Sequence, residues 1–66
     1  MQIVIIGSGN VAYHMAKAFT MKGISIAQIF GRNEKELSKI SEELNVPFST
    51  GSLKDADLYI ICVSDN

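Results

Sequence analysis

The stretch that decides the fold of this chain is Ile3-Val4-Ile5-Ile6-Gly7-Ser8-Gly9-Asn10-Val11-Ala12. It begins with four aliphatic residues, all of them β-branched, as expected of a parallel strand that is covered on both faces. Two glycines then interrupt the strand, and an amphipathic helical pattern starts directly after them. The stretch therefore predicts a strand over residues 2–6, a glycine turn and a helix in immediate succession.

This succession is the one that dinucleotide-binding domains use to hold a pyrophosphate. Gly7 permits a tight turn, Gly9 lets the backbone approach an anion, and Ala12 lets the helix pack closely on the strand. The free N–H groups at the start of the helix lie at the positive end of its dipole. The alternative is a plain strand-to-helix turn without a ligand. We predict that the pyrophosphate is bound by the run Gly7, Ser8, Gly9, Asn10, Val11 and Ala12.

The rest of the chain continues the alternation of strands and helices. The spacing of apolar residues predicts helices over residues 10–22 and 33–44 and strands over 24–30, 46–50 and 58–63. The apolar stripe of the first helix consists of Val11, Ala12, Met15, Ala16 and Phe19. Because crossovers between parallel strands are right-handed, we predict a Rossmann-like α/β fold with strand order 3-2-1-4 and helices on both faces. We interpret residues 1–66 as the N-terminal part of a dinucleotide-binding domain.

Length and composition limit the classes of protein to consider. The chain has 66 residues, 47% of them hydrophobic and 20% charged, which is typical of a globular protein. Its formal net charge of −1 offers no attraction to nucleic acid or to an anionic membrane. The one cysteine, Cys62, cannot form an internal disulfide, and it lies in an apolar strand where packing is its expected role. We expect a cytoplasmic protein.

The end of the second strand indicates which dinucleotide is bound. NAD-specific domains place an acid there for the ribose hydroxyls, but this chain has Gly31, followed by Arg32 and Asn33. A guanidinium can bind the 2′-phosphate of NADP, which a carboxylate would repel. The plainer interpretation makes Arg32 an exposed turn residue and Asn33 a helix cap, with Glu36 at capping-box spacing. We predict NADP at Arg32 and Asn33, while Glu34 keeps NAD possible.

Other reactive side chains carry no functional prediction. His14 lies about one turn beyond the predicted pyrophosphate site and has no second metal ligand or acid at helical spacing. Tyr13 and Tyr59 are interpreted as packing residues. No catalytic residue and no metal site is assigned.

These residues resemble the N-terminal NADP-binding domains of the pyrroline-5-carboxylate reductase and deazaflavin-dependent NADP oxidoreductase type. The resemblance is carried by the runs at 7–12 and 31–33 and by the strand that leads into Ser64. It implies that the run at 7–12 holds the pyrophosphate, that the Arg-Asn pair meets the 2′-phosphate, and that Val63 and Ser64 border the nicotinamide ribose. Many members have Lys-Pro where this chain has Ser64-Asp65, so the likeness is to the superfamily more than to one enzyme.

The function expected from these observations is the NADP(H)-binding portion of an oxidoreductase that transfers hydride to or from a small-molecule substrate. The substrate pocket would lie in sequence outside these 66 residues. A homo-oligomer is expected, without nucleic-acid or membrane partners. Two alternatives stay open, a nucleotide-sensing regulatory module and a structural remnant that binds nothing. The missing acid at Gly31 counts against the first, and the intact glycine turn counts against the second.

Overall fold

The computed structural model describes residues 1–7 and 9–62. The elements alternate between strands and helices along the chain, as the sequence predicts. They are β1 (Ile3–Ile6), α1 (Gly9–Met21), β2 (Ile26–Phe30), α2 (Glu34–Leu44), β3 (Phe48–Ser49) and β4 (Leu58–Ile61). Strands β1 and β2 begin one and two residues later than predicted, and β3 covers two of the five predicted residues. Strand β4 begins where predicted and ends at Ile61, and its predicted end at Val63 lies outside the described residues.

The four strands form one parallel sheet in the order β3-β2-β1-β4, which confirms the predicted topology. In the register, Ile5 of β1 pairs with Ile29 of β2 on one side and with Ile60 of β4 on the other. Strand β1 is therefore central. The chain first adds β2 and β3 on one side of β1, and it then crosses back to add β4 on the other side. The carboxyl ends of β1 and β4 are adjacent at this switch point, where open α/β sheets bind ligands.

The core lies between the helices and one face of the sheet. Ile5, Ile29 and Leu37 are fully buried there, together with Ala12 and Ala16 of α1. The two alanines let α1 approach the strands closely, and each large aliphatic side chain contributes about 1.5–3 kcal/mol on burial. This layer fixes where the N-terminus of α1 lies relative to the ends of the strands.

The opposite face of the sheet is covered by the segment between β3 and β4. Gln28, only 3% exposed, donates from Nε2 to the carbonyl of Ser52 at 2.8 Å and accepts from the N–H of Lys54 at 3.0 Å. The Tyr59 hydroxyl donates to the Lys54 carbonyl at 2.7 Å and accepts from the N–H of Ala56 at 3.0 Å. Two polar side chains of the sheet thus hold this irregular segment in place.

Two expectations need correction. The described helices α1 and α2 contact each other, so both lie on one face of the sheet rather than on both faces. Successive crossovers of one hand that move in one direction place their helices on the same side. Val11, assigned to the buried stripe of α1, is 45% exposed. Ala12 and Ala16 make the contact with the core, and Val11 is turned about 100° away from Ala12 around the helix.

Candidate functional site

The glycine turn lies where β1, β2 and β4 meet. The N–H of Gly7 donates to the carbonyl of Phe30 at 2.6 Å, and the N–H of Cys62 donates to the carbonyl of Ile6 at 2.8 Å. Gly7 has a φ of +137°, and a Cβ on it would collide with the Cys62 carbonyl oxygen and lie 3.3 Å from the Cys62 Cβ. Only glycine tolerates both the backbone angle and the lack of space. The close approach of the Gly7 backbone to the Cys62 backbone thus fixes the turn.

The space above the start of α1 is open. Gly9, the first residue of the helix, has a φ of +84°, and among the described residues a Cβ there would meet only the Glu36 Oε2 atom, at 3.7 Å. Asn10 and Val11 are exposed, whereas Ala12 is fully buried against the core. The first N–H groups of a helix have no partner within the helix. This cradle fits a pyrophosphate, which needs close backbone approach and several donors.

The residues predicted to select the cofactor lie beside this turn. A Cβ on Gly31 would be 3.2 Å from the Gly7 carbonyl oxygen and 3.5 Å from the Leu37 Cδ1 atom. Position 31 is thus packed directly on the glycine turn, and Arg32 and Asn33 follow it with exposed side chains. Asn33 caps α2, accepting on Oδ1 from the N–H of Glu36 at 3.2 Å. Because capping uses its side chain, Asn33 would have to bind a phosphate through its backbone.

Glu36 is the residue that the sequence analysis did not recognise as part of this site. Its spacing from Asn33 predicts a capping box, but its carboxylate lies beside Gly9 on the neighbouring helix. A groove of about 250 Å³ lies between α1 and α2. It is lined by Glu36, by Gly9 and by five other residues, Asn10, Tyr13, Lys39, Ile40 and Glu43. A contact between residues 27 positions apart leaves no periodic signal in the sequence, so the fold was needed to find it.

At the far end of the groove, Tyr13 links the two helices. Its hydroxyl donates to the Glu43 carboxylate, and the Lys17 Nζ atom lies 5.7 Å from the centre of its ring. The hydrogen bond to Glu43 raises the pKa of Tyr13, because the carboxylate favours the protonated phenol. His14 packs edge-on against the same ring, with 5.4 Å between centroids. Tyr13 thus packs against its neighbours, as the sequence suggested, and it also bridges α1 and α2, which the sequence did not predict.

Three of the predicted binding residues, Ser8, Val63 and Ser64, lie outside the described residues. The structure brings the other seven to one edge of the sheet, around the ends of β1 and β2. Cys62 is buried at that edge, and burial raises the pKa of its thiol. Within residues 1–7 and 9–62, no group of His, Cys, Asp and Glu side chains could hold a metal ion. Over the same residues, neither helix has the length and apolar content needed to cross a membrane.

Comparison with known proteins agrees with this geometry. The family model described as NADP oxidoreductase, coenzyme F420-dependent, matches residues 2–65. The chain belongs to this family. Its cofactor is accordingly a nicotinamide or deazaflavin nucleotide, and the resemblance noted in the sequence is confirmed.

A solved structure from Bacteroides fragilis, named a "putative NADP oxidoreductase", superposes with a TM-score of 0.83. It is 33% identical and covers 97% of this chain, which spans 26% of that protein. The likeness confirms the Rossmann-like α/β fold. Curated relatives are more distant and are also named as oxidoreductases. Glucose-fructose oxidoreductase domain-containing protein 2 is 27% identical in Xenopus laevis, over 94% of this chain, and 25% identical in Homo sapiens, over 91%. The chain spans 17% of the length of each.

Proposed function

We propose that this chain binds NADP(H) and forms the cofactor-binding portion of an oxidoreductase. One observation carries the choice of NADP. Gly31 packs on Gly7, so the two residues that follow it, Arg32 and Asn33, come directly after a close contact with the glycine turn. NADP carries a pyrophosphate and a separate 2′-phosphate, and this edge offers a backbone cradle for the first and a guanidinium for the second.

The shape of the glycine turn supports the pyrophosphate half of the proposal. A ligand phosphate must come close to the backbone, and among the described side chains beyond its chain neighbours none comes nearer than 3.7 Å to the Cβ position of Gly9. Contacts with Cys62 and Phe30 hold the backbone of Gly7 in place. A backbone held in this way loses less conformational freedom on binding.

The positive charge of Arg32 supports the part of the proposal that concerns the 2′-phosphate. Packing around Gly31 leaves little room for the acid that NAD-specific domains carry there, because even a Cβ would be 3.2 Å from a backbone oxygen. The exposed Arg32 can instead form charge-assisted hydrogen bonds with a phosphate.

When bound, the nicotinamide would supply hydride transfer, and this chain's residues would bind and orient the nucleotide. The same proposal has three further parts. The oxidoreductase acts on a small-molecule substrate, it works as a reductase or dehydrogenase, and it assembles as a homo-oligomer. A cytoplasmic location is also part of it, supported by the single cysteine and the ordinary globular composition. No residue of this chain is assigned a catalytic role.

The test of the proposal is a calorimetric titration of the protein with NADP⁺, NAD⁺ and coenzyme F420 in parallel. We expect NADP⁺ to bind more tightly than NAD⁺, by about tenfold or more for one added phosphate contact. Tightest binding of coenzyme F420, or equal affinity for NADP⁺ and NAD⁺, would contradict the assignment of the site to NADP.

A further inference from the structure

The carboxylate of Glu36 lies at the glycine turn although Glu36 belongs to α2. Its Oε2 atom is 3.7 Å from the position that a Cβ on Gly9 would occupy. The first turn of α2 is held by the cap, in which the N–H of Glu36 donates to the Asn33 side chain. The side chain itself is exposed on the wall of the groove between the helices. An acid from the helix that follows β2 therefore lies beside the start of α1.

Dinucleotide-binding domains place the adenosine ribose in the region between the pyrophosphate and the end of the second strand. In NAD-specific domains an acid at the end of that strand accepts hydrogen bonds from the ribose hydroxyls. At position 31 even a Cβ would be tight, because it would lie 3.2 Å from the Gly7 carbonyl oxygen. Glu36 brings a carboxylate to the same region from the helix that follows.

We propose that Glu36 accepts hydrogen bonds from the adenosine ribose hydroxyls and sets the balance between NAD and NADP against Arg32. The inference rests on the proposed function, in which the pyrophosphate lies at the glycine turn. NAD offers the carboxylate two free hydroxyls, whereas NADP offers one and places a phosphate near it. Glu36 thus favours NAD and Arg32 favours NADP. The preference of the protein is the difference between these two effects.

A purely structural role for Glu36 makes a different prediction. A carboxylate on α2 adds to the charge of that helix whatever it faces. Glu42 is an exposed acid of the same helix and is not among the residues that line the groove. Glu42→Gln is therefore a control, because it makes the same chemical change on α2 without touching the groove.

The experiment is a calorimetric titration of the protein, Glu36→Gln and Glu42→Gln with NAD⁺ and with NADP⁺, after circular dichroism shows that all three are folded. We expect Glu36→Gln to weaken NAD⁺ binding about tenfold, because a charge-assisted hydrogen bond is lost. Its affinity for NADP⁺ should stay the same or rise, because a repulsion is lost with it. Glu42→Gln should change neither affinity.

The inference is overturned if Glu36→Gln changes both affinities by the same factor, or changes neither. The first result would mean that Glu36 acts only as a general charge near the pyrophosphate, and the second that it acts only on α2. If the unsubstituted protein binds neither nucleotide, the proposed function itself fails and the inference fails with it. The two kinds of failure are therefore distinguishable.

Discussion

The carbonyl oxygen of Cys62, at the end of β4, occupies the direction in which a side chain at Gly7 would project. The turn after β1 is thus closed by the neighbouring strand. Gly7→Ala must strain a φ of +137° and push the two backbones apart, and we expect it to lower the free energy of unfolding by more than about 2 kcal/mol. Thermal or urea unfolding measures this. Gly51→Ala is the control, since a Cβ at Gly51 meets nothing within 4 Å; equal stability of both variants would contradict the account.

The second prediction concerns the start of α1. Gly9→Val should abolish detectable NADP⁺ binding, a loss of about a hundredfold or more, because a branched side chain would fill the space that the pyrophosphate needs. Gly23→Val is a matched control at the other end of the same helix. Gly23 also has a positive φ, of +77°, and a Cβ there meets nothing within 4 Å, so backbone strain is shared but the ligand site is not. Native affinity in Gly9→Val, or an equal loss in both variants, would exclude the phosphate from this turn.

The third prediction concerns Cys62. Burial raises the pKa of its thiol, so less thiolate is present near neutral pH than in an unfolded chain. A group with a raised pKa stabilises the fold below its unfolded pKa, and that contribution is lost as the pH rises through the folded pKa. We expect alkylation by iodoacetamide at pH 8 to be slower in the native protein than in urea, and its midpoint to lie at a higher pH. Equal rates would show that the thiol is accessible and unperturbed.

The fourth prediction concerns the outer edge of the sheet. Among the described strands β4 pairs with β1 alone, and Ile61 is 69% exposed. An unpaired apolar edge is a template for another chain. We expect the 66-residue chain to self-associate at high micromolar concentration in sedimentation, and Ile61→Lys to shift it to monomer. Met21→Lys, at a residue of α1 that is 79% exposed, should leave the association unchanged. A monomeric unsubstituted chain would rule out this interface.

Local signals in the sequence predict most of the fold. The apolar runs and the glycine turn predict β1, α1 and their connection, and the Asn33 cap predicts where α2 begins. Strand β3 is only two residues long, and it follows from pairing with β2 more than from its own composition. The burial of Gln28 was not foreseen, because its partners, Ser52 and Lys54, are backbone groups 24 and 26 residues away.

The candidate site could be predicted only in part from the sequence. Gly7, Gly9 and Ala12 follow a known spacing, and the structure gives each a geometric reason. Glu36 could not be placed from the sequence, because its distance from Gly9 depends on how α2 packs on α1. Side chains that act across two elements are specified by packing, and linear spacing does not show them.

The central claim is that the site distinguishes NADP from NAD through Arg32, and one comparison tests it most directly. NADP⁺ and NAD⁺ are titrated into the protein, Arg32→Ala and Lys22→Ala, the last removing an exposed cation at the far end of α1. We predict that Arg32→Ala weakens NADP⁺ binding about ten- to hundredfold and leaves NAD⁺ binding unchanged. Lys22→Ala should leave the affinity for both nucleotides unchanged. Unchanged NADP⁺ affinity in Arg32→Ala would contradict the claim.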